Sequence, residues 1–110
     1  MPVTNIIHAT AAGSGSPTSV YQVPSAQWAF ITSINVTNTD TVSHTFTVYT
    51  QPSGGSSVAY GGNTVSLAGG QTMEICPDPE SLRLPSLSQI LFKSSDASVV
   101  ITVSGEGGTF

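Results

Sequence analysis

Charge is what this sequence has least of. Asp, Glu, Lys and Arg make up only 7% of its 110 residues, against about a quarter in an ordinary soluble domain. Arg83 and Lys93 are the only two lysine or arginine side chains, and the formal net charge is −4. Binding a phosphate backbone needs clustered Lys and Arg, and so does a polybasic membrane surface. Nucleic acid and membrane are therefore not expected partners. Cysteine is nearly missing too: Cys76 stands alone, so no disulfide can close within the chain. No apolar run approaches the roughly 20 residues of a membrane helix, and no helical period of 3.6 persists anywhere. Met1-Pro2-Val3-Thr4-Asn5 has neither a basic region nor an apolar core, so no secretion signal is expected.

Hydroxyls and small residues fill the places that charges leave empty. Ser and Thr alternate with apolar residues along most of the chain. Such a surface is weak at keeping a protein apart from its neighbours by charge repulsion and suits one packed against other subunits. The length fits one domain with one core.

The alternation is that of half-buried strands. In the stretch from Ala26 to Asn38, Trp28, Phe30, Ile34 and Val36 share one parity, while Gln27, Ser33, Asn35 and Thr37 share the other. This stretch is the expected centre of the core, with Trp28, Phe30 and Ile34 as its anchors. Val42, His44, Phe46 and Val48 share a face of the next segment, which adds Phe46 and Val48 to the core and should pair with the central strand as a hairpin. Thr4–Ala11, Thr18–Val23, Val58–Tyr60, a piece at Val65 and Leu67, Thr72–Cys76 and a brief extended piece at Leu82 and Leu84 supply further short strands. Gln89–Ser94 and Ser98–Gly105 should form a last hairpin. Gly, Pro, Asn and Asp clusters separate them. The expected fold is all-β, an antiparallel β-sandwich of about eight short strands, jelly-roll-like, with an immunoglobulin-like order left open. The expected domain is the whole chain, residues 1–110, with flexible arms at 1–7 and 105–110.

No residue set announces a reaction. His8 and His44 lack the converging ligands at local spacing that a zinc site wants, so packing roles are preferred for both and no metal or other cofactor is expected. Asp78 and Glu80 could form a glycosidase-like carboxylate pair, but they alternate with Pro77 and Pro79 and read as solvated loop carboxylates. Cys76 follows Ile75 and precedes Pro77, and reads as a small buried hydrophobe unless His44 lies beside it. Asn35-Val36-Thr37 matches a glycosylation sequon but reads as a polar rung of the central strand. No Gly-x-Ser-x-Gly elbow occurs, and no catalytic residues are expected. Tyr49 and Tyr60 are the aromatics expected to be exposed, for a protein interface or a sugar.

A resemblance follows from the arrangement of these segments. Val20-Tyr21-Gln22-Val23-Pro24 is followed by a short corner and a long strand containing Ile31-Thr32-Ser33-Ile34. Then come Thr45-Phe46-Thr47-Val48, the turn Leu67-Ala68-Gly69-Gly70-Gln71-Thr72, and the closing strand Val99 to Val103. This succession, from about Val20 to Gly105, resembles small β-sandwich virion proteins of tailed bacteriophages. The corner departs from the family, which has Gly or a charged residue where this chain has Ser25-Ala26-Gln27-Trp28. The resemblance implies a virion structural protein made in the host cytoplasm, a capsid decoration or cement protein that binds the major capsid protein or other virion subunits. A trimer at a threefold position is the expected assembly. Pro2, Val3 and Phe110 on the two arms, with Tyr49 and Tyr60, are the expected partner interface. The rival reading is a receptor- or carbohydrate-binding module on a tail or fibre.

Overall fold

The computed structural model describes residues 5–76 and 82–109. Pro2, Val3, Asp78, Glu80 and Phe110 therefore lie outside the described residues. Nine strands are present among them: β1 (Asn5–Ala12), β2 (Thr18–Gln22), β3 (Gln27–Asn38), β4 (His44–Gln51), β5 (Val58–Leu67), β6 (Thr72–Cys76), β7 (Leu82–Leu84), β8 (Gln89–Ser94) and β9 (Val99–Thr109).

They form two antiparallel sheets. One has the order β1-β9-β3-β6, with β7 also paired to β3; the other has the order β2-β8-β4-β5. Four pairs, β1 with β9, β2 with β8, β3 with β6 and β4 with β5, make one long antiparallel ribbon. Rolling that ribbon brings β9 against β3 and β8 against β4. This is the jelly-roll order, not the immunoglobulin one.

The roll corrects two expected hairpins. β3 and β4 lie in different sheets, and so do β8 and β9. A short polar turn between two alternating segments can close a hairpin or cross from sheet to sheet, and alternation alone cannot tell which. Asn38 shows what makes the first turn a crossing. Its side chain is fully buried. Its Nδ2 donates to the carbonyls of Val42 at 2.8 Å and Leu67 at 3.0 Å, while its Oδ1 accepts from the Asp40 backbone at 3.0 Å. One amide thus satisfies three backbone groups at a corner between the layers. Val42 lies beyond the strand and is 56% exposed, so it does not share the core face of Phe46 and Val48.

The segments expected as arms are partly strand. Asn5 to Ile7 pair with Gly107 to Gly105, and Gly105 to Thr109 pair with Ile31 to Gln27 across β9 and β3. The glycines of the closing segment are backbone partners of a central strand rather than a loose tail. Val58 to Leu67 is one strand instead of two, interrupted by a register shift opposite Thr47.

The core lies between the sheets and includes Ile31, Ile34, Val36, Val48, Ile90, Phe92, Ile101 and Val103, none more than 1% exposed. Phe46 is buried beside Phe92, with ring centroids 6.2 Å apart. Burying each large aliphatic side chain contributes about 1.5–3 kcal/mol.

Trp28 and Phe30 are not in this core. The register of β3 against β9 shifts between Ile31 and Ser33. Thr32 is the extra residue of a β-bulge, and an extra residue reverses the parity of everything before it. Ala29 and Ile31 point inward before the bulge, and Ile34 and Val36 after it. Trp28 and Phe30 turn to the outer face, where both are half-buried. At the bulge, a Cβ on Gly105 would lie 2.3 Å from the Phe30 carbonyl oxygen, so only glycine fits.

Candidate functional site

The reversal of parity builds the principal candidate site. Trp28 and Phe30, two residues apart on β3, project from the same outer face of the five-stranded sheet. With Arg83, Leu84, Pro85 and Glu106 they line an open groove of about 450 Å³. β7 brings Arg83 opposite Phe30 on one side, and β9 brings Glu106 opposite it on the other. The Arg83 guanidinium carbon lies 5.5 Å from the centroid of the Phe30 ring, within cation–π range. Gly108 is the partner of Trp28 and adds no side chain beside the indole. Trp28 Nε1 is covered and has no acceptor among the described residues. A cation, an anion and two aromatic faces thus meet in a chain that has little charge to place.

Two similar corners stand at this end of the molecule. In Pro24-Ser25-Ala26-Gln27, the Gln27 N–H donates to the Pro24 carbonyl; in Pro85-Ser86-Leu87-Ser88, the Ser88 N–H donates to the Pro85 carbonyl. In each, the third residue has a positive φ, 61° at Ala26 and 65° at Leu87. That position of a type II turn favours glycine. Thr64 is the one further non-glycine residue with positive φ among those described. The corners are joined: Val23 N–H donates to the Ser88 carbonyl, Leu87 N–H to the Val23 carbonyl, and Ser86 Oγ to the Gln27 carbonyl. Strained backbone tends to collect at functional sites, and here it frames the groove.

Tyr49 and Tyr60, both expected to be exposed, are half-buried and do not share a face. Tyr60 is the partner of Val48 and packs against the core, whereas Tyr49 is the partner of Ala59 and lies on the opposite face of the same sheet. Tyr49 lines a shallow hollow with Thr47, Thr64, Lys93 and Ser95. Ile34, Phe46 and Val48 are buried. His8 sits near solvent with Nδ1 3.4 Å from Ser104 Oγ. Cys76 and His44 belong to different sheets.

A second cluster lies at the far end of β3. His44 Nε2 is 2.9 Å from Asp40 Oδ2. Asp96, on the turn between β8 and β9, stands beside them, and one ligand atom from each residue falls within 4.8 Å of the others. Hydrogen bonds from His44 and from the Thr41 backbone hold the Asp40 carboxyl below its ordinary range. The Ser98 backbone does the same for Asp96.

Sequence reasoning missed the groove by carrying one parity through the whole of β3. The signal was present: Ile31 and Ile34 are three residues apart, where an uninterrupted strand would space inward aliphatics by two. Compared with protein-family models, curated proteins and solved structures, the chain matches none.

Proposed function

We propose that this protein is a non-catalytic binding subunit of a tailed-bacteriophage particle, a capsid decoration protein that docks on the shell through the Trp28–Phe30 groove. The observation that carries the reading is that the only tryptophan and a phenylalanine are turned out of the core onto an open sheet face. Buried aromatics and arginine are the side chains on which protein interfaces most often depend. Beyond Arg83 and Glu106 the surface is poor in charge, which lowers the cost of desolvation on docking. Jelly rolls serve in viral capsid and lectin domains alike, so the fold is compatible with the role without deciding it. A subunit that binds only the assembled shell stabilises that shell by linkage, and copies placed at threefold positions would do so as trimers.

The test is co-sedimentation with shells of the phage that carries the gene. Wild type should bind and raise the temperature at which the shells open. Phe30→Ala and Trp28→Ala should weaken binding at least about tenfold while the isolated proteins stay folded. Unchanged binding in both variants refutes the groove as the docking face, and no binding by wild type refutes the decoration role.

The same groove supports a second reading. Two neighbouring aromatic faces with Arg83 and Glu106 at their edges are the parts of a sugar platform, which would make the protein a receptor- or carbohydrate-binding module of a tail or fibre. A glycan array that lights up with wild type and goes dark with Trp28→Ala would favour it over the capsid.

A further inference from the structure

We propose that Asp40, His44 and Asp96 bind a divalent first-row transition ion, with Zn²⁺ as its representative, which clamps together the two turns that close one end of the sandwich. The inference is independent of the docking groove.

The geometry suits one ion. Ligand atoms bound about 2.1 Å from a tetrahedral zinc ion stand about 3.4 Å apart. His44 Nε2 and Asp40 Oδ2 are 2.9 Å apart, and one ligand atom from each of the three residues lies within 4.8 Å of the other two. An ion would take the place of the hydrogen bond between imidazole and carboxylate, with the three side chains turning to converge on it.

Each ligand is also held from behind. The Thr41 N–H donates to Asp40 Oδ1 at 2.7 Å, which leaves Oδ2 for the ion. The Ser98 N–H donates to Asp96 Oδ1 at 2.9 Å, which leaves the other oxygen. His44 Nδ1 lies 3.5 Å from Ser95 Oγ; that hydroxyl can accept the Nδ1 proton when Nε2 carries the metal. Metal-binding histidines characteristically use their second nitrogen in this way. Asp96 is exposed, so water completes the coordination.

The donor set names the class of ion. One imidazole nitrogen with two carboxylates suits zinc and its neighbours, whereas calcium and magnesium prefer oxygen throughout. The site is also a rare concentration of ligands here: two of only six acidic residues and one of two histidines converge from turns far apart in sequence. The turn carrying Asp40 takes the chain from the first sheet to the second, and the turn carrying Asp96 takes it back. An ion shared between them ties the two layers, and its binding energy adds to the stability of the fold.

The test is titration of the metal-free full chain with ZnCl₂ by calorimetry, with thermal unfolding in parallel. One Zn²⁺ per chain should bind and raise the midpoint, while Mg²⁺ at equal concentration should leave it unmoved. Asp96→Asn and His44→Gln should each weaken Zn²⁺ binding at least about tenfold. Asp96 is exposed and its asparagine can still accept the Ser98 N–H, so that variant decides the matter even if His44→Gln fails to fold. Co²⁺ should give a visible spectrum without a thiolate charge-transfer band. No binding by wild type, unchanged affinity in Asp96→Asn, loss of binding in His8→Ala, or a thiolate band from Cys76 would each overturn the proposal.

Discussion

The two ends of β3 are built on different principles. At its start, around Trp28 and Phe30, the chain accepts strain: a bulge at Thr32 and two corners with positive φ at Ala26 and Leu87. These turn aromatic surface outward. At its end, around Asn38, polar groups are matched one by one: the Asn38 amide serves three backbone groups, and Thr39 donates through both its N–H and its Oγ1 to the Ser98 carbonyl. Eleven residue steps of about 3.3 Å separate them, roughly 36 Å, in a molecule 44 Å long. One end exposes aromatic surface, and the other holds the layers together. Strain and exposed aromatic area collect at one end, and dense side-chain to backbone hydrogen bonding at the other, although Ser98 Oγ there has no partner among the described residues.

Gly105→Val should give the largest effect. The added Cβ would meet the backbone of Phe30 and Ile31, so β9 must leave β3 at the bulge. Overpacking against backbone should cost about 3 kcal/mol or more, measured by urea unfolding. A loss below about 1 kcal/mol would mean that the bulge is not needed to turn Phe30 outward.

Asn38→Ala tests the other end. It leaves two carbonyls and one N–H without their side-chain partner in a buried corner, which should cost about 2–3 kcal/mol. Asn38→Asp should recover little, because a carboxylate cannot donate to Val42 and Leu67. If Asn38→Ala is nearly neutral, the turn end owes its order to the neighbouring backbone bonds instead.

The contrast between the ends also explains what could be read from the sequence. Strand positions, the two-layer architecture and the core roles of Ile34, Phe46 and Val48 were legible, because they depend on local alternation. The placement of Trp28 and Phe30 was not, because one inserted residue reverses parity and alternation has no memory across it. The outcome of the two turns was not legible either. Asn38 and Asp40 were recognisable as turn residues, but whether the turn closed a hairpin or crossed between sheets depended on Leu67, 29 residues on, whose carbonyl receives the Asn38 side chain. The meeting of Asp40, His44 and Asp96 has the same origin: it follows from ribbon rolling, which no local spacing records.

A smaller effect, of the opposite sign, is expected at the groove end. Ala26→Gly removes the cost of a left-handed conformation for an L-residue, about 1–2 kcal/mol, against the entropy lost by glycine. The net gain should be about 1 kcal/mol, or roughly 4 °C in thermal midpoint for a domain of this size. Leu87→Gly should behave alike at the backbone. If Ala26→Gly stabilises the fold but weakens binding at the groove, the strain at the corner holds Trp28 in its docking position. If stability rises with binding unchanged, the corner is merely tolerated.

The smallest expected effect separates the ends by pH. The group that makes stability depend on pH in the alkaline range is Tyr21, beside the Pro24 corner. Burial disfavours its phenolate and raises its pKa above the ordinary 10.0, so the unfolded chain loses this proton first. Between the ordinary value and the higher folded one, the unfolded state binds fewer protons than the folded state, and stability falls as pH rises. The contribution is fully present below about pH 10 and is lost through the folded pKa. Tyr21→Phe removes the ionisation but keeps the ring, so unfolding midpoints of wild type and variant should run parallel below that pH and diverge above it, with the variant the flatter. Parallel curves throughout would show that the Tyr21 hydroxyl is as well solvated in the fold as in the open chain. The groove end would then be wetter at its β2 flank than its packing implies.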